Sequence, residues 1–140
     1  PHPLKVTSRL GAHFPLHAGA TGFAGLMCMP EERVRQILYE KPLRAFTPKT
    51  ITDPGRVFEK YLEHRRKGYV VASGEVDPGV TGIAVPVYFP FEHSCGSVGV
   101  TLPDNRATGE TLDVLVKKVL NAAEEIRTRV DLTQAPPEGA

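Results

Sequence analysis

The chain lacks any excess of charge of one sign. Its 140 residues hold 17 Lys plus Arg against 16 Asp plus Glu, a net +1. The whole-domain positive field that draws proteins onto nucleic-acid phosphates is therefore missing, and DNA is not expected as a direct partner. Cysteine is scarce as well. Cys28 and Cys95 stand alone, too few for a disulfide framework, so a reduced, cytoplasmic setting is the expectation. No apolar run approaches the roughly 20 residues of a membrane span, and no basic-then-apolar segment opens the chain as a secretory signal would. A soluble molecule without a membrane partner is expected. No internal repeat is found. The chain begins at Pro1 rather than Met, which suggests that a partner domain lies upstream.

What is present is ordinary globular material, 41% hydrophobic and 24% charged, enough at this length for one domain with a real core. Leu4 to Leu10 reads as a strand ending at Gly11, and Ala12 to Pro15 as a turn. From His17 to Met29 the run HAGATGFAGLMCM is small and apolar. A helix there would be buried nearly all round, its glycines permitting close packing at a cost of roughly 1 kcal/mol each relative to Ala. Pro30, Glu31 and Glu32 suit the start of a second helix with Val34, Ile37 and Leu38 inward. Pro42 to Thr52 reads as an extended connector. Asp53 caps a third helix, Pro54 takes its first position, Val57, Phe58, Tyr61 and Leu62 share one face, and Gly68 stops it. The basic group Arg65, Arg66 and Lys67 falls in its last turn, where cations meet the negative end of the helix dipole.

The period then changes. Tyr69 to Glu75, Val80 to Tyr88 and Cys95 to Leu102 are β-branched runs separated by turn residues and read as an antiparallel meander. Phe89 to Ser94 is short enough for a hairpin loop. Leu112, Leu115, Val116, Val119, Leu120, Ala123 and Ile126 recur at helical spacing, which predicts a helix laid on the sheet. Residues 1–132 thus form the domain, and the tail 133–140 is expected to be disordered. Helices and adjacent strands come in blocks, so the fold class is α+β, with helices covering a curved antiparallel sheet.

Alternation along the strands carries the functional signal, because successive side chains point to opposite faces. Thr81, Ile83, Val85 and Val87 share a bulky face, and so do Val98, Val100 and Leu102. Gly82, Ala84, Pro86 and Tyr88 lie opposite, as do Cys95, Ser97, Gly99 and Thr101. Aligned small faces would leave a hollow lined by Gly82, Ala84, Gly99 and Thr101, extended by Val70, Ala72 and Gly74. The backbone from Gly19 to Gly22 could supply amides at a helix start, suited to a carboxylate. The alternative is that small residues merely let a helix sit close to the sheet, and alternation leaves both open.

Five segments then follow one another in order: PLHAGATGFAGL (Pro15 to Leu26), PLRAFTPKTITDP (Pro42 to Pro54), RRKGYVV (Arg65 to Val71), GVTGIAVPV (Gly79 to Val87) and LPDNR (Leu102 to Arg106). Together they resemble the effector-binding domain of the IclR family of bacterial transcriptional regulators, over roughly Leu4 to Val130. The resemblance implies a GAF-like or profilin-like fold and a winged helix-turn-helix DNA-binding domain, absent from this chain, on its N-terminal side. It also implies dimers or tetramers that reach DNA only through that domain, and a small organic acid as effector. In the family pocket, backbone amides follow the PLHA-like turn, here at Ala20, Thr21 and Gly22. Where the family often has an acidic residue after the GY-V stretch, this chain has Ala72 and Ser73. Gly82 replaces a Cys or Ser, and Gly99 and Thr101 replace two serines. Each departure removes volume or a hydrogen bond, so a larger effector than glyoxylate is expected, such as an aromatic carboxylate, with Phe14, Phe23 and Tyr88 as walls.

Ala20, Thr21, Gly22, Phe23, Ala72, Gly82, Ala84, Tyr88, Gly99 and Thr101 are thus the expected ligand-binding residues, with no catalytic residue, metal or cofactor. His13 and His17 have metal-ligand spacing, but Pro15 between them argues against one helical face. A cysteine-dependent methionine sulfoxide reductase, a chemistry known on GAF-like domains, and a ligand-free oligomerisation module are the alternatives.

Overall fold

The computed structural model describes residues 4, 6, 9–89 and 93–134. Four α-helices, α1 (Gly19–Met27), α2 (Glu31–Glu40), α3 (Pro54–Lys67) and α4 (Gly109–Gln134), accompany three strands, β1 (Val70–Ser73), β2 (Val80–Phe89) and β3 (Ser94–Pro103). The strands form an antiparallel sheet in the order β1-β2-β3. The α+β class is as the sequence pattern gave it.

Local chemistry places the ends of these elements. Asp53 Oδ2 accepts from the Arg56 amide at 2.9 Å, closing the first turn of α3 behind Pro54. Gly68 ends it in the left-handed conformation (φ 81°), its amide donating to the His64 carbonyl at 2.8 Å. That geometry suits glycine, which has no Cβ to clash. Arg65 pairs with Glu31 and Lys67 with Glu63, at 3.2 and 3.3 Å, so two of the three cations at that helix end have acidic partners on the surface. The Thr108 hydroxyl accepts from the Thr111 amide just ahead of α4.

The register sets the two faces. Gly82 pairs with Ala72 on β1 and Thr101 on β3, and Ala84 with Val70 and Gly99, so the small residues do align. On the bulky face Ile83, Val85 and Val87 are buried against Val119 and Ala123 of α4, with Leu112, Leu115, Val116 and Leu120 beside them. On the small face Val70, Ala72 and Ala84 join Ala20, Phe23, Ala24 and Leu26 of α1, backed by Val34 and Leu38 of α2 and by Val57, Phe58 and Tyr61 of α3. β1 and β2 are therefore covered on both sides, with α1 seated on the small face, while much of the edge strand β3 stays exposed.

Three expectations need correction. Residues 4, 6, 9 and 10 are not in a strand, and the rest of the expected strand Leu4 to Leu10 lies outside the described residues. α4 continues through Thr133 and Gln134, two residues into the expected tail; the rest of that tail, 135–140, also lies outside them. Of the hairpin loop, residues 90–92 do too, while Phe89 and Ser94 close the strand pairing on either side. Third, Cys28 and Cys95 are joined as a disulfide rather than reduced. The C-terminal end of α1 packs at the start of β3, which brings their Cα atoms to 6.1 Å, within bridging range. Their 67-residue separation gave no hint of it.

Candidate functional site

Two main-chain contacts around α1 and the sheet are ones that only glycine allows. A Cβ on Gly22 would lie 2.1 Å from the Pro15 carbonyl oxygen, and one on Gly99 2.4 Å from that of Ile83. These glycines therefore serve close packing of main chain, α1 on its entry turn and β3 on β2. Phe23 is fully buried in the core, its ring edge-on to His64 with centroids 4.8 Å apart. Ala84 is buried beneath α1. Gly22, Phe23, Ala84 and Gly99 are thus absent from the lining of the cavity at the start of α1.

Toward the other end of the strands the packing opens. A cavity of about 90 Å³ lies between the start of α1, the small face of the sheet and the β1–β2 turn. Five expected residues line it: Ala20, Thr21, Ala72, Gly82 and Thr101. Phe14, the aromatic expected in the entry turn, lines it too. Tyr88 does not. It lies half exposed beside a separate groove with Cys28, Met29, His93 and Cys95. Gly82 matters here for closeness, since a Cβ on it would lie 3.0 Å from Ala20 Cβ. Phe14, Val76 and Asp77 also line a wider cleft of about 660 Å³ bounded by His13, Pro15 and Phe46. Beside it His17 Nε2 donates to the Arg44 carbonyl at 2.8 Å, and its ring lies tilted against that of Phe46, centroids 5.8 Å apart.

The residue that sequence reasoning missed is Glu75, which lines the cavity from the β1–β2 turn with Val76 and Asp77. α1 has no side-chain cap at its first residues. Its leading amide, that of Gly19, instead donates to Glu75 Oε2 at 2.7 Å across 56 positions of sequence. Gly19 has φ 76°, and a Cβ there would lie 3.0 Å from Val76 Cγ2, so the turn and the helix start are fitted closely. The turn is braced from behind by the connector 42–52. Thr47 Oγ1 donates to the Gly74 carbonyl and Thr50 Oγ1 to the Glu75 carbonyl, at 2.5 and 2.6 Å. Burial pushes the Glu75 carboxyl above the usual carboxylate range, against the pull of the Gly19 amide and the charges of Lys60 and His17. On the far side of the turn Thr81, buried, donates to Asp104 Oδ1 at 2.6 Å and shares a 2.7 Å hydrogen bond with Ser73.

The geometry is that of a small α+β domain with a half-open pocket: apolar walls, one hydroxyl-bearing strand and a helix start whose first-turn amides have no intrahelical acceptors. Residues 1–128 match the family model of the bacterial transcriptional regulator IclR C-terminal domain, and the chain belongs to that family. The transcriptional repressor IclR of Escherichia coli strain K12 is 26% identical over 125 residues, covering 89% of this chain and 46% of that protein. The chain thus spans about half the length of the curated relatives it matches. Among solved structures, Thermotoga maritima IclR superposes with a TM-score of 0.84 at 26% identity, over 92% of this chain and 52% of that one. An IclR homologue from Microbacterium hydrocarbonoxydans in complex with 4-hydroxybenzoate gives 0.79 at 27% identity, over 94% and 52%. The inducer-binding domain of a PobR double mutant from Acinetobacter, in complex with 3-hydroxybenzoic acid, gives 0.75 at 29% identity, over 85% and 69%.

Proposed function

We propose that this chain is the ligand-sensing domain of an IclR-type transcriptional regulator. It binds a small organic acid in the cavity at the start of α1 and thereby modulates DNA binding by a winged helix-turn-helix domain on its N-terminal side. It works as a dimer or tetramer and catalyses no reaction. The observation that carries this reading is the cavity itself, set against the start of α1, in a family whose named members include transcriptional repressors. Differential affinity for two arrangements of the subunits is the physical means by which such a ligand acts on a distant DNA-binding domain.

An aromatic acid fits better than glyoxylate. The 90 Å³ cavity is small beside ordinary ligand sites of about 300–1,000 Å³, but it shares Phe14, Val76 and Asp77 with the wider cleft, where Phe46 adds a second ring. The carboxylate then lies at the Gly19–Thr21 amides and the ring against Phe14. The two similar structures holding hydroxybenzoates support that size.

A thermal-shift panel of glyoxylate, pyruvate, 3-hydroxybenzoate and 4-hydroxybenzoate tests it. A ligand at a hundred times its Kd stabilises by about 2.7 kcal/mol, which raises Tm by about 9 °C at this chain length. Tighter binding of glyoxylate than of either hydroxybenzoate would sink the size argument. A Tm indifferent to all four would leave a ligand-free scaffold.

A further inference from the structure

We propose that Glu75 is an internal competitor for the effector's carboxylate: its side chain holds the Gly19 amide, and an acid binds by displacing it. The inference rests on the acid-sensing reading and assigns a specificity-determining residue to that site.

The case is geometric. Glu75 Oε2 lies 2.7 Å from the leading amide of α1, the position an incoming carboxylate would take for the same reason, since the first amides of a helix seek an anion. Glu75 and Asp77 are the only charged side chains lining the cavity among the described residues, and both are acidic. An effector anion entering beside an ionised Glu75 would meet a like charge in a partly dry space, where repulsion is far less screened than in water. The two carboxylates therefore cannot share the amide. The Glu75 carbonyl is held from behind by Thr50 and the Gly74 carbonyl by Thr47, so the main chain of the turn stays anchored and release is a rotation of the side chain alone. His17 and Lys60 lie close enough for their charges to act on Glu75, and the carboxylate rotates toward them. Burial already disfavours its ionised form at its present place, which lowers the cost of moving it.

An internal competitor weakens the apparent affinity by the fraction of time it occupies the site, and removing it restores that fraction. Calorimetric titration of the full chain with 4-hydroxybenzoate, glyoxylate and the neutral 4-hydroxybenzamide, on wild type and on Glu75→Gln, measures this. Glu75→Ala serves as a second variant in case the glutamine amide keeps the contact. The expected result is that the acids bind the variants about tenfold tighter, while the amide changes less than twofold. Weaker acid binding by the variants would make Glu75 a ligand contact and overturn the proposal. Equal tightening of acid and amide would reduce Glu75 to bulk and do the same. Acids that bind wild type and variants alike would remove the role of Glu75 and leave the sensing reading standing. No binding of any probe by any of the three proteins would remove both.

Discussion

Replacing Gly22 by Ala tests whether α1 is pinned on the turn that precedes it. The added methyl would lie 2.1 Å from the Pro15 carbonyl oxygen and 3.1 Å from that of Leu16. Main chain cannot rotate away as a side chain does, so helix and turn must part. Overpacking costs about 1–3 kcal/mol, and a backbone obstacle puts this site at the upper end. Against it stands the helix propensity of Ala over Gly, about 1 kcal/mol, which leaves a loss of about 2 kcal/mol. An unfolding entropy of about 2.1 cal/mol/K per residue makes 1 kcal/mol worth about 3 °C for a chain of this length, so Tm falls by about 7 °C. Gly25, three positions on, is the control. A Cβ there meets only Leu16 Cδ2, at 3.1 Å, the tip of a flexible and partly exposed side chain. Relaxation is easy and propensity decides the sign, so Gly25→Ala leaves Tm unchanged or raises it by up to about 3 °C. Scanning calorimetry of the two variants gives the answer. Equal melting temperatures would refute the reasoning, because they would mean that α1 does not rest on the Pro15 carbonyl.

Two further outcomes are expected. His64 is buried against Phe23, and burial, with the charge of Lys60, holds its pKa down at about 4 against an ordinary 6.5. A depressed folded-state value means the unfolded chain takes up the proton first, so the stability His64 contributes is present above pH 6.5 and lost as pH falls to about 4. The loss is at most about 3 kcal/mol, less what solvent screens. Glu75, raised by burial, works in the opposite direction, so the measurement is the difference in urea midpoint between wild type and His64→Leu across that window. Parallel pH profiles would exclude the buried neutral histidine. The Cys28–Cys95 bond closes 67 positions of chain, and a loop of that size stabilises by about 4 kcal/mol on the chain-entropy account. Reduction by dithiothreitol should accordingly lower Tm by roughly 14 °C, and Cys28→Ser should melt at the reduced value under both conditions. A wild-type Tm indifferent to reductant would show that the sulfurs are not bonded in solution.

The fold was legible wherever a local rule decides. The Asp53–Pro54 start and Gly68 stop of α3, the sheet alternation and the helical spacing from Leu112 to Ile126 each depend on residues within a few positions of one another, and each stands where expected. The site was legible only in part. Small residues on one face announce that something comes close without saying whether it is a ligand or main chain. Ala20, Thr21, Ala72, Gly82 and Thr101 turned out to border space, whereas Gly22 and Gly99 border carbonyl oxygens. Glu75 carried no signal at all. It lies in a turn without a period, and its partner, the amide of Gly19, belongs to every residue type but proline. Only the fold brings them together. The cysteine pair is the same case at 67 positions.

The division of labour between the two faces follows from that distinction. On the bulky face, branched side chains interlock with α4 and leave no freedom to shift without opening a void, which a close-packed interior does not tolerate. On the small face α1 comes close through small residues, Ala20 over Gly82 and the buried Ala84, while its Phe23 and Leu26 join the side chains of α2 and α3. On the acid-sensing proposal, a ligand at the start of α1 would act on the end of the helix where it meets the sheet through alanine and glycine, while the α4 face backs the sheet from behind. α1 is also the helix whose first amide is capped by a carboxylate from another part of the chain rather than by its own neighbour. On the displacement proposal an incoming acid would replace that contact, which would give the bound state a means of shifting the start of the helix.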